Sequence, residues 1–223
     1  MPGSVGDGAM FVRTLLSLGE RLRLIAITYP AVADPLQLSA GLSRVFEHLV
    51  LPPSVLVGSS FAAYWAQFFA SRFPEHVLKL VIGNGFTDSS DLSDNPLFDQ
   101  KLVASTPAKE LHAAWLHRVQ AAPVSPLQQL QKLMLAERQS PENLYSRLIG
   151  VTSAQACPPL PLDDRNVVVL DCADDPLIPP AARDRLRGRY LGARHVRLST
   201  GGHYPHLLNT DSYESMLLDV AFE

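Results

Sequence analysis

Three polar residues spread along the chain are of the types that nucleophilic catalysis needs: Ser60, Asp175 and His203. A serine hydroxyl is a weak nucleophile until a base removes its proton. A histidine can act as that base, and a carboxylate can orient the histidine and stabilise its charged form. These residues therefore predict a catalytic triad with Ser60 as nucleophile, His203 as base and Asp175 as acid.

The residues around Ser60 predict a sharp turn between a strand and a helix. An apolar run, residues 55–57, leads into a G-x-S-x-A motif that contains Ser60. Such a turn exposes the serine and points the backbone N–H of the next residue, Phe61, at the place where an oxyanion forms. Ala62 stands where this motif usually has glycine. Ser59 is a rival nucleophile, but the spacing of the small residues centres on Ser60.

The candidate acid and base each follow another strand pattern. The apolar residues 167–170 lead to two adjacent carboxylates, Asp174 and Asp175. The spacing to a later proline favours Asp175, and Asp174 remains the alternative acid. His203 follows a Gly-Gly pair, which suits a loop that returns the ring over the edge of a sheet. His206 lies nearby but has no such turn before it.

A second oxyanion donor is expected from a loop early in the chain. The only candidate is Pro-Gly-Ser-Val-Gly at residues 2–6. We expect the backbone N–H of Ser4 or Val5 to be the donor, because this kind of site pairs it with the N–H that follows the nucleophile.

Strand and helix patterns alternate along the chain, which predicts an α/β fold with a mainly parallel sheet flanked by helices. The predicted strands are residues 24–28, 55–57, 78–83, 167–170 and 195–198. The predicted helices of the core are residues 8–19, 34–49, 61–73, 180–190 and 208–221.

Residues 88–160 interrupt this alternation and carry helical patterns around residues 108–120, 126–139 and 141–150. We predict one domain, residues 1–223, with a core at 1–87 and 161–223 and a helical cap inserted at 88–160. Apolar cap residues that are candidates to line a substrate pocket are Phe98, Trp115, Leu116, Leu133 and Met134.

The composition argues against several classes of partner. The chain has 19 Lys and Arg against 22 Asp and Glu, which gives no electrostatic case for binding nucleic acid. No apolar run reaches the roughly 18 residues that a membrane span needs, and the N-terminus has no secretory signal. The two cysteines, Cys157 and Cys172, predict reduced thiols in a cytoplasmic protein and have no metal-site spacing.

In these motifs the sequence resembles the α/β-hydrolase superfamily and, within it, the maspardin family, over nearly the whole chain. The segments that carry the resemblance include Gly58-Ser59-Ser60, residues 83–89 (GNGFTDS) and residues 199–205 (STGGHYP). The superfamily has the chain order nucleophile, acid, histidine. It also has a strand directly before the oxyanion loop and two earlier strands. The resemblance therefore implies that N-terminal strands are missing here, as in a truncated gene product or a weakened enzyme.

The resemblance leaves two functions open. Maspardins are regarded as cytosolic adaptors without demonstrated hydrolysis, and they have asparagine at the position of His203 and match their aspartate to Asp174. Because this chain has the histidine, we predict a serine hydrolase that cleaves a carboxylic ester or thioester of a small acyl substrate, without cofactor or metal. The alternative is a non-catalytic adaptor with a protein partner. An acyltransferase or C–C bond hydrolase with the same triad is also open, as is the oligomeric state.

Overall fold

A parallel β-sheet organises the computed structural model, which describes residues 1–223. The four strands are β1 (Ser54–Ser59), β2 (Val77–Gly83), β3 (Val167–Cys172) and β4 (Arg194–Leu198), and they lie side by side in sequence order. Every neighbouring pair is parallel. β3 is buried along its whole length, because helices cover both faces of the sheet. The predicted α/β class with a parallel sheet is confirmed.

Two layers of helices bury the two faces of the sheet. One face packs against α2 (Pro35–His48), α3 (Phe61–Arg72) and α8 (Pro180–Arg189). The other packs against α1 (Val12–Leu18) and α10 (Thr210–Phe222), and the short α9 (Pro205–Leu208) precedes α10. Asp34 caps α2 by accepting a hydrogen bond from the N–H of Leu36. None of the helices combines the length and apolarity needed to cross a membrane.

A helical insertion, residues 88–160, separates β2 from β3. Its helices are α4 (Gln100–Ser105), α5 (Ala108–Ala121), α6 (Pro126–Leu133) and α7 (Pro141–Thr152), with a π-helical turn at Met134–Arg138. Short 3₁₀ turns at Ser89–Leu92 and Pro96–Phe98 lead into it. These helices share a small apolar core of their own, built from Val103, Leu111, Val119, Leu135, Leu144 and Leu148. Val5, from the start of the chain, is buried in that same core.

The predicted strand at residues 24–28 is wrong. This segment pairs with no strand, and β2 is the only strand that pairs with β1. Leu24 and Ile27 instead pack against the apolar layers on opposite faces of the sheet, while Ile25 is 43% exposed. An apolar pattern reports burial of side chains, whereas a strand also needs a backbone partner. Only Met1 continues the ladder at this edge: its N donates to Val57 O at 2.8 Å and its O accepts from Ser59 N at 3.2 Å.

Both cysteines are unpaired and buried, as expected of reduced thiols. Cys172 ends β3, and its backbone N–H donates to Asn84 Oδ1 at 3.1 Å. Cys157 lies in the connection from the insertion back to the sheet, with Sγ 3.9 Å from Tyr64 O. Burial is the largest cause that raises the pKa of both thiols, to about 12 for Cys172. Neither thiol therefore forms a thiolate readily at neutral pH.

Candidate active site

Ser60 lies at the turn that the sequence predicts, between the last residue of β1 and the first residue of α3. Its backbone has φ 55° and ψ −119°, a conformation that residues with side chains rarely adopt. Two hydrogen bonds hold it there: Ser60 N donates to Gly83 O at 2.9 Å, and Ser60 O accepts from Tyr64 N at 3.1 Å. The strained turn presents the side chain at the carboxyl edge of the sheet.

Gly58 allows α3 to approach β1 closely enough to form this turn. A Cβ atom at position 58 would lie 2.6 Å from Ala62 O and 2.7 Å from Ala63 Cα, both backbone atoms. Real Cβ atoms do not come so close, so any side chain here would push the helix away from the strand. Ala62 itself is fully buried with its methyl group accommodated, which explains why glycine is not needed at that position.

The two candidate oxyanion donors flank Ser60. Phe61 is the first residue of α3, so its N–H has no carbonyl one turn earlier to bind. The loop at residues 2–6 lies against the serine, and a Cβ on Gly3 would be 2.9 Å from Ser60 Cβ. The N–H of Ser4 makes no hydrogen bond within the chain, and neither does that of Val5, the alternative donor. The N–H groups of Phe61 and of this loop are therefore available to an acceptor beside Ser60.

His203 and Asp175 form a buried pair, with His203 Nδ1 2.9 Å from Asp175 Oδ2. Asp175 Oδ1 accepts from the N–H groups of Leu177 at 2.7 Å and Ile178 at 3.1 Å. Burial disfavours ionisation of Asp175, but attraction to His203 and these hydrogen bonds outweigh it and lower the pKa of the carboxyl below its usual value. The carboxylate is thus fixed in its charged form and aimed at the ring.

Asp174 has different surroundings from its neighbour. Its side chain is exposed, and its two oxygens accept from Gly201 N at 3.2 Å and Gly202 N at 2.8 Å. Both glycines have positive φ, 134° and 52°, which a residue with a side chain would adopt only with strain. Asp174 therefore holds the Gly-Gly turn that carries His203, and it does not contact the ring.

Ser60 and His203 line the same small cavity, which has a volume of about 30 Å³. The structure contains no hydrogen bond between Ser60 Oγ and His203. Catalytic hydrogen bonds are often long before substrate binds, so this geometry is compatible with a base acting on the serine. The other lining residues are Pro2, Gly3, Ser4, Val5, Met10, Phe11, Ser59, Phe98, Trp115, Leu177, Tyr204 and His206.

The helical insertion contributes only two of the five residues proposed to line a pocket, Phe98 and Trp115. Leu116 packs against the insertion's own core. Met134 is buried in a cluster with Met10 and Phe11, and Leu133 is 42% exposed.

Two of the solved structures with a similar fold are an esterase and an enol-lactonase. An esterase from Exiguobacterium antarcticum matches with a TM-score of 0.79 and 16% identity, covering 100% of this chain and 90% of the esterase. An enol-lactonase from Burkholderia xenovorans matches with a TM-score of 0.71 and 15% identity, covering 98% of this chain and 88% of the lactonase.

This chain has the α/β-hydrolase fold. In sequence, the chain is similar to human maspardin, with 28% identity over 217 residues, which cover 93% of this chain and 68% of maspardin. Zebrafish maspardin is similarly 28% identical over 218 residues, covering 93% of this chain and 68% of that protein. The predicted resemblance is confirmed. No family model matches the sequence.

Sequence reasoning missed Asn84, which connects the ends of β2 and β3 to the loop that carries His203. It adopts φ 43° directly after β2. Its Nδ2 donates to Gly202 O at 3.0 Å, and its Oδ1 accepts from Cys172 N at 3.1 Å. Asn84 therefore positions the loop that carries His203. The available signal was a polar residue with αL tolerance directly after an apolar strand.

His206 is the second histidine at the cavity, and it is buried without a partner on Nε2. Its ring packs 4.6 Å from that of Phe11, measured between centroids. Burial, followed by the nearby N-terminal charge and His203, lowers the pKa of His206 to about 3. A ring with so low a pKa is a weak proton acceptor at neutral pH, so His203 is the better placed base.

No group of three or more His, Cys, Asp or Glu residues stands close enough to hold a metal ion.

Proposed function

We propose that this protein is a serine hydrolase that cleaves a carboxylic ester or thioester through an acyl intermediate on Ser60. The observation that carries the proposal is the buried pair of Asp175 and His203, facing a cavity that also contains the strained Ser60. A buried carboxylate that accepts from one ring nitrogen of a histidine leaves the other nitrogen free to act as a base.

In the proposed acylation step, His203 Nδ1–H donates to Asp175, and Nε2 takes the proton from Ser60 Oγ. The oxygen attacks the carbonyl carbon, and the carbonyl oxygen becomes an oxyanion that accepts from the N–H groups of Phe61 and Ser4. Such donors act mainly on the transition state, because the negative charge develops there. The oxyanion then collapses, the bond to the leaving group breaks, and His203 gives its proton to the departing alcohol or thiol.

Deacylation repeats the same sequence with water. His203 takes a proton from the water, whose oxygen attacks the acyl carbon. The tetrahedral intermediate releases the acid, and Ser60 Oγ recovers its proton from His203. Every proton that leaves one group is received by another, so these steps need no cofactor.

A small acyl group fits the site best. The cavity has about 30 Å³ of space, and its walls include the apolar side chains of Val5, Met10, Phe11 and Leu177. A short acyl chain is therefore the first to test. Two of the similar structures are named as an esterase and an enol-lactonase, which supports carboxylic esters as the class to test first.

The test is covalent labelling of the purified chain with a fluorophosphonate, read by intact mass and peptide mapping. We expect a single adduct on Ser60. The Ser60→Ala variant should lose labelling completely, and the matched variant Ser59→Ala should keep it. Labelling that survives in a folded Ser60→Ala variant would refute the assignment of the nucleophile.

Non-catalytic protein binding on the same fold is the second candidate function. The lack of a hydrogen bond between Ser60 Oγ and His203 favours it, as does the similarity to maspardin. This candidate predicts that the folded wild-type chain takes no fluorophosphonate adduct and that Ser60→Ala keeps the protein's activity in cells. Loss of that activity in folded Ser60→Ala would exclude it.

We also propose that the protein works in the cytoplasm. The support is that both cysteines are free and buried, as expected where thiols stay reduced. Fractionation of cells that express the chain, with immunodetection in each fraction, tests this location.

A further inference from the structure

The loop at residues 2–6, called the oxyanion loop below, carries the Ser4 N–H beside the nucleophile. It has no regular secondary structure, and Gly6 within it has φ 95°. Its position therefore depends on the groups that bind its backbone. A donor must lie about 2.7–3.1 Å from the developing oxyanion, so small shifts of this loop change the rate of reaction.

Gln139, at the end of the insertion's π-helical turn, binds the oxyanion loop on both sides of Val5. Its Nε2 donates to Ser4 O at 2.7 Å, and its Oε1 accepts from Gly6 N at 2.9 Å. Nε2 also donates to Asn143 Oδ1 at 3.1 Å, which fixes the orientation of the amide. Gln139 is 5% exposed, so water does not compete for these bonds.

Arg147 on α7 binds the same loop through two other backbone groups. Its Nη1 donates to Gly3 O at 2.9 Å and also to Gly6 O. Its guanidinium carbon lies 4.0 Å from the centre of the Tyr29 ring. The side chain is 1% exposed, and its hydrogen bonds all go to backbone carbonyls rather than to a carboxylate.

A buried guanidinium without a carboxylate partner is costly, and the buried Nε of Arg147 has no hydrogen-bond partner either. Burial accordingly lowers the pKa of Arg147. If α7 needed only an apolar side chain at position 147, leucine or methionine would fill the space. The bonds to the loop are what the charged side chain adds, together with its contact with the Tyr29 ring.

We propose that Gln139 and Arg147 are positioning residues through which the helical insertion holds the Ser4 N–H at the oxyanion. This rests on the proposed hydrolase function. Val5 supports the same role, because its side chain is buried in the core of the insertion. The insertion thus contributes to transition-state stabilisation through the backbone of a loop that is more than 130 residues away in sequence.

The decisive variant is Gln139→Glu, measured by steady-state hydrolysis of a short-chain p-nitrophenyl ester. Glutamate keeps the shape and the acceptor for Gly6 N–H but replaces the donor to Ser4 O with a carboxylate oxygen. We expect kcat to fall about 10–100-fold with KM changed less than about threefold, because a misplaced oxyanion donor weakens the transition state rather than substrate binding. The exposed Gln129→Glu carries the same chemical change and should match the wild type in both constants.

A second variant, Arg147→Lys, keeps the charge but lacks the planar guanidinium, whose Nη1 binds Gly3 O and Gly6 O while Nη2 binds Tyr29 O. In Arg147→Lys, kcat should also fall, by a smaller factor than in Gln139→Glu. Arg147→Lys becomes the main test if the melting temperature shows that Gln139→Glu does not fold. A folded Gln139→Glu with kcat within threefold of the wild type would overturn the proposal, as would a loss confined to KM. Failure of the wild-type chain itself to label at Ser60 would instead count against the hydrolase function.

Discussion

Asp174 and Asp175 are adjacent in sequence, yet the structure gives them different partners. Asp175 is buried against His203, and Asp174 is exposed and binds the amides of Gly201 and Gly202. From the sequence, both residues were candidates for the acid, with Asp175 favoured by its spacing to a proline. Spacing alone does not determine which of two adjacent carboxylates faces the histidine ring. Side-chain burial separates them, and that depends on the packing of the whole sheet.

The first prediction compares the two aspartates. Asp175→Asn should lower kcat/KM by about 10³–10⁴-fold at neutral pH, because an amide favours the wrong histidine tautomer and does not stabilise the charged ring. Asp174→Asn keeps an oxygen that can accept from the glycine amides and should cost about tenfold or less. Steady-state ester hydrolysis by both folded variants measures this. A larger loss in Asp174→Asn would reverse the assignment.

His206 should make the protein sensitive to acid. Its pKa is about 3 in the folded chain and about 6.5 in an unfolded chain. As pH falls from about 6.5 to about 3, the unfolded state binds a proton at this ring and the folded state does not, so the free energy of unfolding falls. Across that range the loss reaches up to ~5 kcal/mol, because each unit of pKa shift corresponds to about 1.4 kcal/mol.

The variant that tests this is His206→Phe, which keeps the ring packed near Phe11 and removes the titration. Its free energy of unfolding, measured with urea at pH 7 and pH 5, should decline less than that of the wild type. The exposed His117→Phe is the matched control and should decline as the wild type does. Equal declines in His206→Phe and the wild type would show that this ring is not the source of acid sensitivity.

At the scale of elements, the strand–turn–helix around Ser60 was predictable because its signals are local. An apolar run, a glycine and an apolar helix lie within 20 residues, and the structure forms β1 and α3 there. Residues 24–28 carry an equally apolar pattern but form no strand. A strand needs a hydrogen-bonding partner from a distant part of the sequence, and a local pattern does not reveal whether one is present. Gln139 and Arg147 were missed for the same reason, because the backbone groups of the oxyanion loop that they bind lie more than 130 residues earlier in the chain.

The variant Gly58→Ala tests how closely α3 must approach β1. Gly58→Ala should lower the free energy of unfolding by about 1–3 kcal/mol, because the new methyl group meets backbone atoms of α3. Gly41→Ala is the matched control: it lies exposed within α2, with nothing within 4 Å of the new Cβ, and should stabilise the protein by about 0.5–1 kcal/mol. Urea denaturation of both variants measures the difference. A stable Gly58→Ala would mean that the turn can relax without loss.

At the scale of the whole molecule, the start of the chain joins the sheet to the helical insertion. Met1 bonds to β1, Tyr29 OH donates to Pro2 O at 2.7 Å, and Val5 enters the core of the insertion. Farther along, Arg138 Nε donates to Asp7 Oδ2 at 2.8 Å. Contacts between such distant segments have to form together, so the fold could be predicted as a class but the way its two parts meet could not.

The two buried cysteines can report which part of the molecule opens, because a buried thiol reacts with an alkylating reagent only once it is exposed. Cys172 lies within the sheet and Cys157 lies at the junction with the insertion, so alkylation of each thiol reports when that part becomes exposed. Simultaneous labelling by iodoacetamide in rising urea, assigned with Cys157→Ser and Cys172→Ser, would mean that both parts open as one unit. Labelling of Cys157 at a lower urea concentration than Cys172 would mean that the insertion detaches while the sheet remains folded. Since we expect one cooperative unit, the two labelling midpoints should coincide with the loss of far-ultraviolet circular dichroism.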